Sequence, residues 1–218
     1  MLPRTLTFSI SSLALGALSC QLPTPSAFAG FPVEPAPPAA VAAGPPDLPT
    51  SAEAESVDPI VAVTARYLAS RRMGLAPHEV QEVAETIVAE AIRHDMDPRL
   101  VLAVMRVESG YYNFAMSPVG AIGLMQIMPA TGEEMAIDLL IPWRGPQTLF
   151  DPIANIRMGV AYLRILTDRY GSVPTALAAY NWGPTRIDRR LRRGSPLPME
   201  YAGLVLQAYD GGRGARSS

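Results

Sequence analysis

The 218-residue sequence predicts an all-α domain behind an N-terminal leader with no globular character. Three observations lead there. Beyond residue 58, apolar residues recur at i, i+3 and i+4 in long stretches, the period of one helix face. Asp-Pro pairs at 58–59, 97–98 and 151–152 set a capping carboxylate directly before a proline suited to the first helical position. No segment alternates polar and apolar residues between turn signals, as a half-buried strand would.

The elements follow in order. Asp58-Pro59 opens a helix through Ile60, Val63, Tyr67 and Leu68. From Pro77 to His94, the residues Val80, Val83, Ala84, Ile87, Val88, Ala91 and Ile92 form an unbroken apolar stripe. Asp97-Pro98 opens a helix that carries Leu100, Val101, Val104 and Val107, ends near Glu108 and meets Gly110 as a C-cap. Asp151-Pro152 opens another, through Ile153, Ile156, Val160, Leu163, Leu166 and Tyr170, closed by Gly171. Short helices are expected around 175–180, 184–193 and 199–209. Glu133, Glu134 and Asp138 fall on a further amphipathic helix and are expected to be solvated.

The leader has a different chemistry. Arg4 precedes a mostly apolar run, Leu6 to Leu18, which is too short to span a bilayer and has the character of an export signal. Two exits are open. Ala27-Phe28-Ala29 suits cleavage after Ala29. Ala17-Leu18-Ser19-Cys20 resembles a lipoprotein box, which would anchor the chain through Cys20. The stretch up to Val57 is dominated by Pro and Ala and cannot bury enough apolar surface to offset the entropy of ordering. The expected organisation is therefore a signal over 1–29, a disordered linker over 30–57, one helical domain over 58–212 and a flexible tail over 213–218, in a protein that works outside the cytoplasm as a monomer.

Charge and composition remove several function classes. The net charge is −2 and every basic side chain is Arg, so there is no global basic field for nucleic acid. Cys20 has no partner for an internal disulfide, and neither His78 nor His94 has a further His or Cys at ligand spacing. No metal and no cofactor are expected.

Glu108 stands out. A glutamate at a helix end is ordinarily solvated. This one ends a strongly apolar helix and leads into a Gly, Ser, Pro and Met-rich segment, 109–131, that is too apolar for an ordinary surface loop. A helix C-terminus disfavours negative charge, and apolar neighbours such as Val104, Val107 and Phe114 would desolvate the carboxyl. Both effects raise a carboxyl pKa toward the range a general acid needs near neutral pH.

The ordered motifs resemble a known family. Glu108-Ser109, then Ser117-Pro118-x-Gly120-Ala121-x-Gly123-Leu124-Met125-Gln126, then Met128-Pro129-x-Thr131, are similar to the family 1 soluble lytic transglycosylases. Asp151-Pro152-x-x-Asn155-Ile156-x-x-Gly159-x-x-Tyr162-Leu163 resembles that family's second motif, and Ala178-Ala179-Tyr180-Asn181-x-Gly183 its third. Met199-Glu200 resembles the late Glu motif less well: the family's Glu-Thr-x-x-Tyr-Val is met here by Tyr201, Leu204 and Val205.

The resemblance implies a goose-type lysozyme-like fold and cleavage of the β-1,4 bond between N-acetylmuramic acid and N-acetylglucosamine in peptidoglycan glycan strands. It implies Glu108 as the single acid/base, and the C6 hydroxyl of muramic acid as the nucleophile that closes a 1,6-anhydro ring. By position it makes Ser117 a partner of the N-acetyl group or of Glu108. Met125 and Gln126 become groove residues, with the Gln126 amide bonding to sugar. Tyr180 and Asn181 become the pair facing Glu108, the Tyr180 hydroxyl orienting the carboxyl, and Glu200 a substrate contact. Asp97 and Asp151 read as caps, Asn155 as a buried polar contact and Gly159 as a close helix contact.

Two rivals stay open: a muramidase that admits water, and a non-catalytic module of an envelope or secretion complex. Residues 184–193 carry five Arg against one Asp, either a solvated face or a site for stem-peptide carboxylates or anionic envelope polymers.

Overall fold

The computed structural model describes residues 58–211; the expected signal, the two exits at Cys20 and Ala29, the linker and the tail lie outside them. Within this span are α1 (Asp58–Ala69), α2 (Pro77–Arg93), α3 (Pro98–Ser109), α4 (Pro129–Asp138), a 3-10 turn (Pro146–Phe150), α5 (Pro152–Tyr170), α6 (Val173–Trp182), α7 (Pro184–Arg192) and α8 (Glu200–Asp210). Among the described residues there are no strands, only isolated bridges joining Met116 to Ile122 and Ile122 to Ile127. The all-α expectation is met.

Local chemistry sets the helix boundaries. The Asp97 carboxylate accepts from the Arg99 N–H at 2.8 Å, and Asp151 accepts from Ile153 and Ala154 at 2.9 and 3.1 Å. Glu79 reaches back to the Ala76 N–H at 2.6 Å and closes the start of α2. Gly110 ends α3 in the left-handed region at φ 57°, which most L-residues enter only at a steric cost. The 3-10 turn has no counterpart among the expected elements. Pro146 starts it, and it buries Leu149 completely.

α3 is buried on every side from Arg99 to Met105, so it is a core helix rather than an amphipathic cover. α2 packs on α1 and α5, α5 on α6, and α8 on both α3 and α6. The α3–α8 pair is antiparallel and hydrogen-bonded at both ends. At the start of α3, the Tyr209 hydroxyl donates to Asp97 Oδ2 at 2.8 Å, and the same oxygen holds the buried Arg99 at 2.6 Å. At the other end, the Tyr201 hydroxyl donates to Glu108 Oε1 at 2.5 Å. Two rigid helices thus fix the position of one carboxylate.

Candidate active site

Glu108 lies in the last turn of α3, and its carboxyl pKa is pushed from an ordinary 4.5 up to about 7. Burial is the larger cause, and the hydrogen bond from Tyr201 opposes it by favouring the charged form. No second carboxylate is among the groups that shift it. Tyr180 lies close enough for the Glu108 charge, added to burial, to push its phenol well above the usual range. The Tyr162 ring sits 5.5 Å from that of Tyr180 and backs it from α5.

The segment after Glu108 is folded back by its own backbone. Ser109 Oγ donates to the Leu124 carbonyl at 2.8 Å, which ties the end of α3 to the far side of the segment. Ser117 and Ala121 close a turn: backbone Ser117 N–H donates to the Ala121 carbonyl, and the Ala121 N–H donates to Ser117 Oγ, both at 2.9 Å. The Ser117 hydroxyl oxygen is thereby used as an acceptor and its proton is left to donate outward.

Asn155 of α5 clasps the other end. It is fully buried; its Oδ1 accepts from the Met125 N–H at 2.8 Å, and its amide donates to the Ile122 and Leu149 carbonyls, both at 2.9 Å. Only a glycine fits at 123, where a Cβ would meet Asn155 Nδ2 at 2.3 Å and the Leu149 carbonyl at 2.5 Å, on a backbone at φ +84°.

Several expected positions differ. Met125 does not wall a groove: its side chain has no exposure and packs on Gly159, where an added Cβ would meet the Met125 sulfur at 2.5 Å. What Met125 offers is a backbone carbonyl, which accepts from the Tyr180 hydroxyl at 2.8 Å. That bond replaces the expected one from Tyr180 to Glu108. The Gln126 amide nitrogen donates to the carbonyls of Ala115 and Gly123, at 3.1 and 2.9 Å, so its side chain holds the loop and only its oxygen remains for a ligand. Phe114 is half-exposed and packs on Tyr112 and Phe150. Asn181 is exposed one residue beyond Tyr180.

The late motif is better read one helical turn earlier. With Glu at 200, the motif's Tyr falls on Leu204, which is 55% exposed. Moved back three residues, the Tyr-Val pair falls on Tyr201 and Ala202, both buried, and the hydroxyl meets Glu108. Glu200 is then an exposed residue at the start of α8, outside the motif. Tyr201 was the residue missed, and the tyrosine out of register was the signal for it.

The model of the transglycosylase SLT domain matches residues 85–198, more than half of the chain. The chain belongs to the transglycosylase SLT domain family. Among similar proteins, the transglycosylase of Enterobacteria phage PRD1 is 44% identical over 104 residues, covering 48% of this chain and 36% of that protein. The soluble lytic murein transglycosylase of Salmonella typhimurium is 41% identical over 95 residues, covering 43% of this chain and 15% of that one. The solved structure of the 70 kDa soluble lytic transglycosylase of Escherichia coli superposes with a TM-score of 0.54 at 26% identity, over 72% of this chain and 28% of that one. The aligned span is thus well under half the length of these relatives. It bears out the lysozyme-like family fold. Tyr201 and all of α1 lie beyond the SLT match, so the tyrosine that meets Glu108 comes from outside it.

Proposed function

We propose that this SLT-family chain is a peptidoglycan lytic transglycosylase that cleaves the β-1,4 bond between N-acetylmuramic acid and N-acetylglucosamine with Glu108 as its sole acid/base. The observation that carries the reading is the Glu108 carboxyl, lifted by burial to about 7 and gripped by Tyr201 at 2.5 Å. A carboxyl near 7 is still substantially protonated at neutral pH and can give its proton to the leaving glycosidic oxygen. Glycosidases of the usual kind need a second carboxylate as nucleophile or base. Here the muramic C6 hydroxyl takes that part.

The proton balance closes without water. Glu108 protonates the glycosidic oxygen as the C1–O bond breaks, and becomes a carboxylate. The Tyr201 hydrogen bond favours that charged form. Glu108 then removes the C6 hydroxyl proton as that oxygen bonds to C1, and is restored. The attack is intramolecular, so its effective concentration is high. Ser117, with its free hydroxyl proton, and the Gln126 oxygen are the polar groups that the segment after Glu108 offers to the N-acetyl and sugar groups. Tyr180 and Asn181 extend the wall. The apolar run before Leu18 and the Pro/Ala-rich stretch after it support export to the periplasm, freely or through Cys20. No described helix is long and apolar enough to cross a membrane.

Two tests follow. Digestion of purified sacculi should release muropeptides that end in 1,6-anhydro-muramic acid, one water lighter than the reducing-end products. Reducing ends as the main product would overturn the proposal in favour of a muramidase. Tyr201→Phe separates positioning from catalysis. Without its donor the Glu108 carboxylate loses support, so the alkaline limb of kcat/KM should move upward by about one pH unit. A limb that stays in place, or moves down, would show that Tyr201 does not act on the carboxyl.

A further inference from the structure

We infer that the exposed arginine face of α7 is a docking surface for the carboxylates of peptidoglycan peptide stems, beside the groove that holds the glycan; this rests on the function proposed above. Residues 184–193 contain five Arg and one Asp. The structure removes the Asp from the balance. Asp188 turns inward, where Arg169 of α5 pairs with it at 2.5 Å and the Tyr170 hydroxyl donates to it at 2.9 Å. Ile187, with no exposure, fixes the helix to the core. Arg190 is also engaged: it donates to the Pro196 carbonyl at 2.7 Å and, with Arg186, flanks the Trp182 ring at 5.9 and 5.8 Å. Arg189, Arg192 and Arg193 remain. All three are exposed, and none forms an ion pair among the described residues. On a chain of net charge −2 this is a local concentration of positive charge.

Its place in the fold selects the ligand. α6 delivers Tyr180 to the Glu108 site, exposes Asn181, and ends in Trp182 between two α7 arginines. Consecutive residues of α6 thus run from the site to α7, the helix that carries the three arginines. A glycan lying against Tyr180 carries its peptide stems on the lactyl groups of its own muramic residues, so their carboxylates hang beside the bound sugar. An anionic membrane is a poorer fit. A membrane-binding helix sets a row of large apolar residues beside its cations; α7 buries Ile187 and leaves Leu191 as its one half-exposed large apolar side chain.

The test uses the full chain in a Glu108→Gln background, so that binding is read without digestion. Arg189→Gln/Arg192→Gln/Arg193→Gln should bind intact sacculi about tenfold more weakly in low salt, since three exposed charge contacts are removed. The matching triple Lys variant, which keeps the charges, should bind within about twofold of the parent. Sacculi stripped of stems by an amidase should bind the parent and the triple Gln variant alike. Unchanged binding of the triple Gln variant to intact sacculi would overturn the inference. So would equal binding of the parent to intact and stripped sacculi, or a loss confined to anionic vesicles. Cleavage of stripped glycan by the unsubstituted chain reports on the enzyme separately, so either idea can fail alone.

Discussion

Glu108→Gln should abolish sacculus digestion, with a fall of about ten-thousand-fold, because one group serves as acid in the first step and base in the second. Gln keeps the size of the side chain and still accepts from Tyr201, so substrate binding should survive. The same substitution should stabilise the protein. The folded carboxyl titrates at about 7 and the ordinary value is 4.5. The native chain therefore binds a proton that the unfolded chain has released, and stability falls as pH rises between those values. Burying the charged carboxylate costs nothing below about 4.5, and the cost is complete above about 7. Glu108→Gln should accordingly gain about 1–3 kcal/mol at pH 8, after allowing for partial contact with water, and about nothing at pH 4. Urea unfolding at the two pH values reads this directly. An equal effect at both would mean that the carboxyl is not desolvated.

Asn155→Ala should be the most damaging substitution outside the acid. It strands the Met125 N–H and the Leu149 carbonyl and takes one of two donors from the Ile122 carbonyl, which keeps the Ile127 N–H at 3.0 Å. The expected loss is about 3–5 kcal/mol, roughly 10 °C in Tm for a domain of this size. Activity should fall further than stability, since these bonds hold the segment whose ends meet Glu108 and Tyr180. Asn155→Asp should not rescue it: a carboxylate restores the acceptor for Met125 but sets an oxygen against two carbonyls. A loss under about 1 kcal/mol for Asn155→Ala would show that water replaces the amide and that the clasp is not structural.

The parts legible in the sequence are those governed by local chemistry. Asp97-Pro98 and Asp151-Pro152 announced their helices because a cap acts within three residues. Glu108 was legible from its apolar helix and from the motif that follows. The 3-10 turn was not, since Pro146 starts a turn held from a distance: Leu149 is buried by other elements, and Asn113 and Asn155 donate to its carbonyls. Nor could Met125 and Gln126 be sorted. Gly123 and the Asn155 clasp decide which way that loop faces, and they turn Met125 into the core and the Gln126 amide onto its own backbone. Tyr201 was hidden for a different reason. A tyrosine displaced by one helical turn keeps its face of α8, and only the packing of α8 on α3 shows which register reaches the acid.

The central claim is that burial holds a single carboxyl protonated where a general acid is needed. It is tested most directly by titrating Glu108 itself, with carbon-13 glutamate in the unsubstituted chain and Glu108→Gln to assign the signal. A midpoint near 7, moving upward in Tyr201→Phe, is the predicted result. A midpoint below 5 would contradict it.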